Sequence, residues 1–291
     1  MVSDAEISST THAAFAPEAW ATDTMDAMQF AEVISKLVNT KFESDLSVGR
    51  ILHIPHRSNL TTQTKTEGVA NTIVFEAITQ TNQDITVSTY QYAAVLLNAV
   101  VQVQSAYSDR QALANAMGYS LMRGIEVNLS ALFASFSQIV GTLGSSIDLA
   151  LLLRAWQYLA SGGFSSDAAW ILSPAMATDI FSTDKLTSKD FVNTSAIERA
   201  LLPPILSFPA YVSNLLTAPA SGQIEAALLH RTSVILIRQV EPTPKSSYLM
   251  RYNADGLLMY DLFASAEAEQ PAEAPGSESL SDTGAVLIRG A

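Results

Sequence analysis

The chain has 291 residues, a formal net charge of −12 and no cysteine, so disulfides, thiolate nucleophiles and thiolate metal sites are excluded. Its 16 basic residues never cluster, which argues against a protein built to grip phosphate backbones. Only 15% of residues are charged while 48% are hydrophobic, against about 25% charged in an ordinary globular domain, so much of the surface must be hidden against other molecules.

The first stretch, MVSDAEISSTTHAAF, is Ser/Thr/Ala-rich and carries acids where a secretory signal needs positive charge. It reads as a flexible leader of a protein that folds in a cytoplasm. Pro17–Val38 reads as a helix, with Pro17 in its first turn and Met25, Met28, Phe30, Val33, Ile34 and Leu37 along one face. A short helix behind a loose leader is the pattern of an arm.

Strands follow. In Arg50–His56 the side chains alternate, Ile51, His53 and Pro55 to one side and Leu52, Ile54 and His56 to the other. The polar tip SNLTTQTKTEG separates this run from Val69–Ile78, rich in β-formers, and the pair predicts a long hairpin. Asn82–Gln83–Asp84 predicts a turn into a third strand, Ile85–Tyr92.

Ser108-x-x-Gln111 is a capping box. Behind it Leu113, Met117, Leu121, Ile125, Leu129, Leu132 and Phe136 recur at three or four residues and predict a helix of ~43 Å to Phe136. Gly118 and Gly124 inside it invite close approach of another backbone. Gly141 and Gly144 end the unit, and Ser146–Ser161 predicts a second helix stopped by Gly162–Gly163. Ala168–Leu172 reads as a buried strand, and Ser173-Pro174 opens a short helix to Phe181. After the polar loop STDKLTSKDFVNTS, extended segments are expected at Leu206–Val212, Ser233–Gln239, Ser247–Tyr252 and Leu257–Phe263, with Asp255–Gly256 as a turn. Ala264–Asp282 carries five acids and no base and reads as an extended or disordered spacer, with Ala285–Ile288 as a terminal strand.

Three stretches lack any charge: Ile85–Ser108, Val127–Ile147 and Ala200–Ile224. Asn98, Gln102, Gln104, Ser130, Ser135, Gln138, Ser207 and Asn214 interrupt them, so none is an apolar run of the ~18 residues that a membrane span needs. One core is too small to hide them all. Burial against copies of the same chain is the expectation.

Chemical motifs are sparse. No Gly-x-Ser-x-Gly elbow, phosphate-cradling glycine loop or His-Glu-x-x-His helix occurs. Ser182-x-x-Lys185 matches one fragment of a penicillin-binding hydrolase signature but lacks its partners. His53 and His56 lie three apart on a strand, where they face opposite sides and cannot share a metal. His230-Arg231 reads as a solvated turn and His12 as part of the leader. Trp156, Tyr158, Trp170, Phe208 and Tyr211 fall on core or interface elements. No catalytic, cofactor or metal residues are assigned.

The order of parts, however, resembles the major capsid proteins of tailed bacteriophages, the Hong-Kong-ninety-seven (Johnson) fold. The passage STYQYAAVLLNAVVQVQSAYSDRQALANAMGYSLMRGIEVNLSALF is similar to that family's run from strand into spine helix. DAAWILSPAMATDIF resembles the strand-Pro-helix of its axial domain, and LPPILSFPAYVSNLL a following strand, with Phe208 where the family has glycine. The resemblance covers residues 17–265.

It implies an α+β chain divided into an N-terminal arm (1–49), an extended β-hairpin loop (50–84) and a peripheral domain with the spine helix (85–140). An axial α/β domain (141–235), return strands (236–265) and an acidic tail with terminal strand (266–291) complete it. It further implies a non-enzymatic subunit of an icosahedral virion shell, built from hexamers and pentamers in the bacterial cytoplasm and enclosing double-stranded DNA without specific binding. The expected partners are copies of itself, a separate scaffolding protein, a portal and a decoration protein; no membrane is involved. Some relatives cross-link a hairpin-tip lysine, here Lys65, but none is implied for this chain. An encapsulin-like cargo nanocompartment is the alternative within the fold, and a homo-oligomeric hydrolase without a visible motif the alternative outside it.

Overall fold

A computed structural model describes residues 32–290 except 47, 99–108, 165, 184–201, 203, 217–224, 272–279, 282–283 and about half of 58–79. The expected leader, residues 17–31 of the Pro17–Val38 helix, the Ser108 cap and the polar loop after Thr183 lie outside the described residues.

In chain order, α1 (Ile34–Leu37) and a 3-10 turn (Glu43–Asp45) precede β1 (Ile51–Arg57), β2 (Gln80–Thr86) and β3 (Thr89–Asn98). The long helix α2 (Asp109–Ala131) tightens into a 3-10 turn over Leu132–Ser135, then β4 (Gln138–Gly141) and α3 (Leu149–Ser161) follow. Next come β5 (Ala168–Leu172), α4 (Pro174–Phe181), β6 (Ala210–Val212), β7 (Glu225–His230), β8 (Val234–Val240) and β9 (Lys245–Leu249). A 14-residue strand, β10 (Ala254–Glu267), a minimal pair β11 (Gln270–Pro271) and β12 (Leu280–Ser281), and β13 (Ala285–Arg289) close the chain.

Two main sheets organise these elements. One runs β3-β10-β8 with β9 also on β10, all antiparallel. The other runs β4-β13-β7-β5-β6, with parallel pairs at both edges. The predicted stripe of α2 is buried at Met117, Leu121, Ile125 and Leu129. Met117 and Leu121 pack on Leu257 and Met259 of β10. Ile125 and Leu129 join Phe133, Phe136 and residues of β5, β7 and β13, so the helix bridges both sheets. At about 1.5–3 kcal/mol per buried large side chain, this face alone outweighs its two glycines.

The second sheet is buried on both faces, which is why β5, β7 and β13 read as continuous apolar runs rather than alternating ones. Ser173 caps α4 by accepting from the Met176 amide, and Asp148 caps α3 by accepting from the Leu151 amide. Gly141 adopts φ +92, and a Cβ there would sit 2.3 Å from the Arg289 carbonyl oxygen, so only glycine lets β4 close on β13.

Several expectations are corrected. The partner of β1 is β2, in the register Ile51↔Thr86 to Arg57↔Gln80; the described residues 73 and 75–78 of the expected partner carry no strand. The predicted turn at Asn82–Asp84 therefore lies inside a strand. Asp255–Gly256 likewise lies within β10, and the reversal occurs at Asn253, in the left-handed region with φ 45. The supposed spacer begins as core: β10 runs to Glu267, and Ala264 and Ala268 are buried. The terminal strand β13 is central to its sheet, between β4 and β7. Beside Gly124 the close neighbour is the Gln91 side chain rather than another backbone.

Candidate assembly surfaces

The hairpin is built by strict alternation. Ile54 and Ile85 face inward, onto Ile235, Ile237 and Ala264. Its base is fastened by Gln83, whose side-chain nitrogen donates to the Glu267 carbonyl (2.6 Å) while its oxygen accepts from the Glu269 amide (3.2 Å). On the outer side His53 Nδ1 meets Asp84 Oδ1 at 2.5 Å, and the Asn82 amide donates to the same oxygen. The bond to His53 holds the Asp84 carboxyl below its ordinary range. His56 points the other way, as alternation predicts, and its Nε2 is buried with no hydrogen-bond partner among the described residues. Beyond the paired strands, Leu60, Ile73, Phe75 and Ile78 are exposed, Phe75 at 91%. Burying such side chains on a partner is worth about 1.5–3 kcal/mol each.

A second apolar surface is the solvent face of the β3-β10-β8 sheet. Tyr90, Tyr92 and Leu96 of β3 alternate outward, and the Tyr90 ring lies 6.0 Å from Tyr92 and 5.8 Å from Tyr260. Lys245 donates to the Tyr260 hydroxyl at 2.6 Å. Beside it a groove of ≈ 560 Å³ is lined by Leu96, Leu249, Leu258 and Gly256. These residues belong to the first charge-free stretch and its pairing partners. Exposed apolar side chains grouped beside a groove are the kind of surface that another protein covers.

The arm is tied to α2 by Glu126. This carboxylate is fully buried and accepts from the Ile34 amide (3.0 Å), the Ser35 amide (2.9 Å) and the Ser35 hydroxyl (2.6 Å). The chain then adds a parallel bridge, Asn39↔Ile235, to the edge of β8. Sequence reading missed Glu126, although one signal was present: a lone acid between Ile125 and Leu129 of the apolar stripe.

A third polar cluster gathers Arg238, Asp261, Glu43 and Glu241. Asp261 is 0% exposed, no side chain among the described residues hydrogen-bonds its oxygens, and Arg238 Nε lies 3.7 Å away. Burial raises the Asp261 carboxyl above its ordinary range against the pull of Arg238. Glu43 is raised for the same reason.

Among the described residues, no group of three or more His, Cys, Asp or Glu is placed to hold a metal, and no helix is long and apolar enough to cross a membrane. Ser182 ends α4, while Lys185 lies outside the described residues. His230 is not a solvated turn residue. It ends β7, packs 4.7 Å from the Phe164 ring and bonds Thr232 Oγ1, and burial lowers its pKa although Asp167 opposes this. Trp170 and Phe208 are buried, whereas Trp156 and Tyr211 stand partly exposed on outer faces.

The described elements form two main sheets bridged by α2, with the β1–β2 hairpin and the arm packed against them. No family model matches the sequence, and no curated protein is similar to it. Solved structures are. A chain of Mycobacterium phage Che8 overlays with a TM-score of 0.78 at 18% identity, covering 94% of this chain and 97% of that one. The capsid structure of cyanophage P-SCSP1u gives 0.77 at 13% identity, over 96% and 94%. The head structure of Helicobacter pylori bacteriophage KHP40 gives 0.75 at 8% identity, over 100% and 99%. The chain has the phage-capsid fold, the α+β Johnson fold that the order of its segments resembles.

Proposed function

We propose that this chain is the major capsid protein of a tailed bacteriophage, a structural subunit whose hexamers and pentamers close an icosahedral shell around packaged double-stranded DNA. One observation carries the reading: phage capsid and head structures match the chain from end to end, with no large segment left over for another task. The exposed apolar side chains of the hairpin and of the β3 face support it, because a lone subunit has nothing to bury them against.

In this reading the segments take the division expected from sequence, with β13 joining the axial sheet. Each hairpin lies over a neighbouring subunit and each arm reaches beneath another. The contacts are individually weak, and a subunit that touches several neighbours at once gains its stability by multivalency. A net charge of −12 keeps the lumen from holding DNA during packaging. The work is mechanical rather than chemical. In this reading its partners are a separate scaffolding protein and a portal, the virion capsid is its location and the host cytoplasm its place of assembly.

The test is deletion of residues 61–68 at the hairpin tip, alongside the milder Phe75→Asp. Both variants are expected to stay soluble as capsomers and to form no stable shells by negative-stain microscopy. Intact shells from both would overturn the role given to the hairpin, and a permanently monomeric wild-type chain would overturn the capsid reading itself.

A further inference from the structure

A cavity of ≈ 540 Å³ opens where the arm meets the β4-β13-β7-β5-β6 sheet, lined by Lys36 and Leu37 of α1, Asp167 and Ala168, Ser207 to Pro209, Leu229 and Arg231. Its wall is conformationally costly. Asp167, Leu206 and Ser207 all have positive φ, at 52, 51 and 72, a region that a leucine rarely occupies. Buried Trp170 holds the Leu206–Ser207 turn from beneath, donating Nε1–H to the Ile205 carbonyl at 3.0 Å. Backbone strain that the surroundings over-determine is a pointer to a site.

The electrostatics single out an occupant. Lys36 and Arg231 both reach this cavity against one acid, Asp167, in a chain with 28 acids and 16 bases. Residues 1–31 carry Asp4, Glu6, Glu18, Asp23 and Asp26 and no lysine or arginine. That segment enters the described structure at Glu32, which pairs with Lys36 one helical turn on at 3.7 Å. Trp20, Met25 and Met28 lie among its acids, and Leu37, Phe208 and Leu229 offer the cavity an apolar floor. Because the segment is covalently attached beside the cavity, its effective concentration there is high.

We infer that in the free subunit, before its arm reaches beneath a neighbour, the acidic N-terminal segment, residues 1–31, docks on the Lys36–Arg231 cavity. Its carboxylates sit on the two cations and its apolar side chains on Leu37 and Phe208. Among the described residues Asp167 in the lining and Glu32, paired with Lys36, oppose this docking, and Asp167 sets how tightly the segment is held.

The test uses the full-length chain in solution and a glutamate-specific protease, which has sites after Glu6 and Glu18. Cleavage is expected to be about fivefold faster in Arg231→Glu and Lys36→Glu than in wild type, as two partly exposed ion pairs allow. It is expected to be slower in Asp167→Asn. Raising the salt to about 1 M, where the Debye length is ~3 Å, should bring wild type to the rate of the variants. Adding Asp23→Lys and Asp26→Lys to Arg231→Glu should restore protection, which simple damage to the fold would not do. Equal cleavage rates in wild type, Arg231→Glu and Lys36→Glu would overturn the proposal, as would a charge swap that restores nothing.

Discussion

Removing Glu126 tests how the arm is held. The carboxylate receives three hydrogen bonds of 2.6–3.0 Å in a fully buried setting, two of them from the first amides of α1. Each bond to a charged acceptor is worth about 1.5–3 kcal/mol, and each buried donor left unpaired costs about 1–3 kcal/mol. The sum has a ceiling, because the arm can detach and let water satisfy the donors. Detachment in turn exposes Ile34 and Val38, which are buried to within 2%, at about 1.5–3 kcal/mol each. The cheaper route sets the result, so Glu126→Ala is expected to cost about 3–5 kcal/mol. Glu126→Gln keeps the shape but sets an amide N–H against the Ile34 or Ser35 donors, and is expected to cost about 2–3 kcal/mol. Urea denaturation of soluble subunits gives the magnitudes. Hydrogen exchange locates them: the Ile34, Ser35, Asn39 and Leu236 amides should lose protection together, since Asn39 bonds both Val234 and Leu236 of β8. If Glu126→Ala unfolds within about 0.5 kcal/mol of wild type with those amides still protected, the carboxylate does not hold the arm.

The Asp261 cluster makes stability depend on pH in a definite direction. A carboxyl whose folded pKa is raised favours the folded state while protonated, so its contribution is complete below the ordinary aspartate range and lost as pH rises through the raised value. Glu43 acts in the same sense. Wild type should therefore lose stability on raising the pH through a window above ordinary carboxylate values, and Asp261→Asn should flatten that loss; identical slopes in both proteins would count against the burial argument. The glycines separate strain from contact. Gly141→Ala combines φ +92 with a backbone clash at Arg289 and should cost more than about 3 kcal/mol, whereas Gly144→Ala, at φ +81 with open space beside it, should cost about 1–2 kcal/mol. Thermal melts of the two alanine variants that differ by less than about 2 °C would refute the assigned clash.

What could be read from the chain was local. The stripe on α2, the Ser173-Pro174 start of α4, the buried run of β5 and the opposed faces of His53 and His56 each depend on periodicity or a cap within a few residues, and each stands in the structure. The succession of these parts was also enough to point to the capsid fold. The failures share one cause: strand pairing is decided between residues far apart. Residues 82–84 are polar and look like a turn, yet they pair with β1 inside a strand because Gln83 and Ile85 then face β10 and its neighbours. Gly256 looks like a turn but lies flat in β10, paired on both sides by Leu96 and Ser247. The β7 strand was missed because Glu225–His230 (EAALLH) has no β-branched residue and no alternation, and only its place between β13 and β5 makes it a strand.

The candidate surfaces divide in the same way. Composition alone determined that this chain must hide uncharged surface, since charge density is a property of the sequence. Which side chains stay outside was decided only when the sheets formed, because the pleat sends Tyr90 and Tyr92 to solvent and Ala93 and Val95 inward to α2. The partners of Glu126 lie 91 and 92 residues away, and no local rule reaches that far.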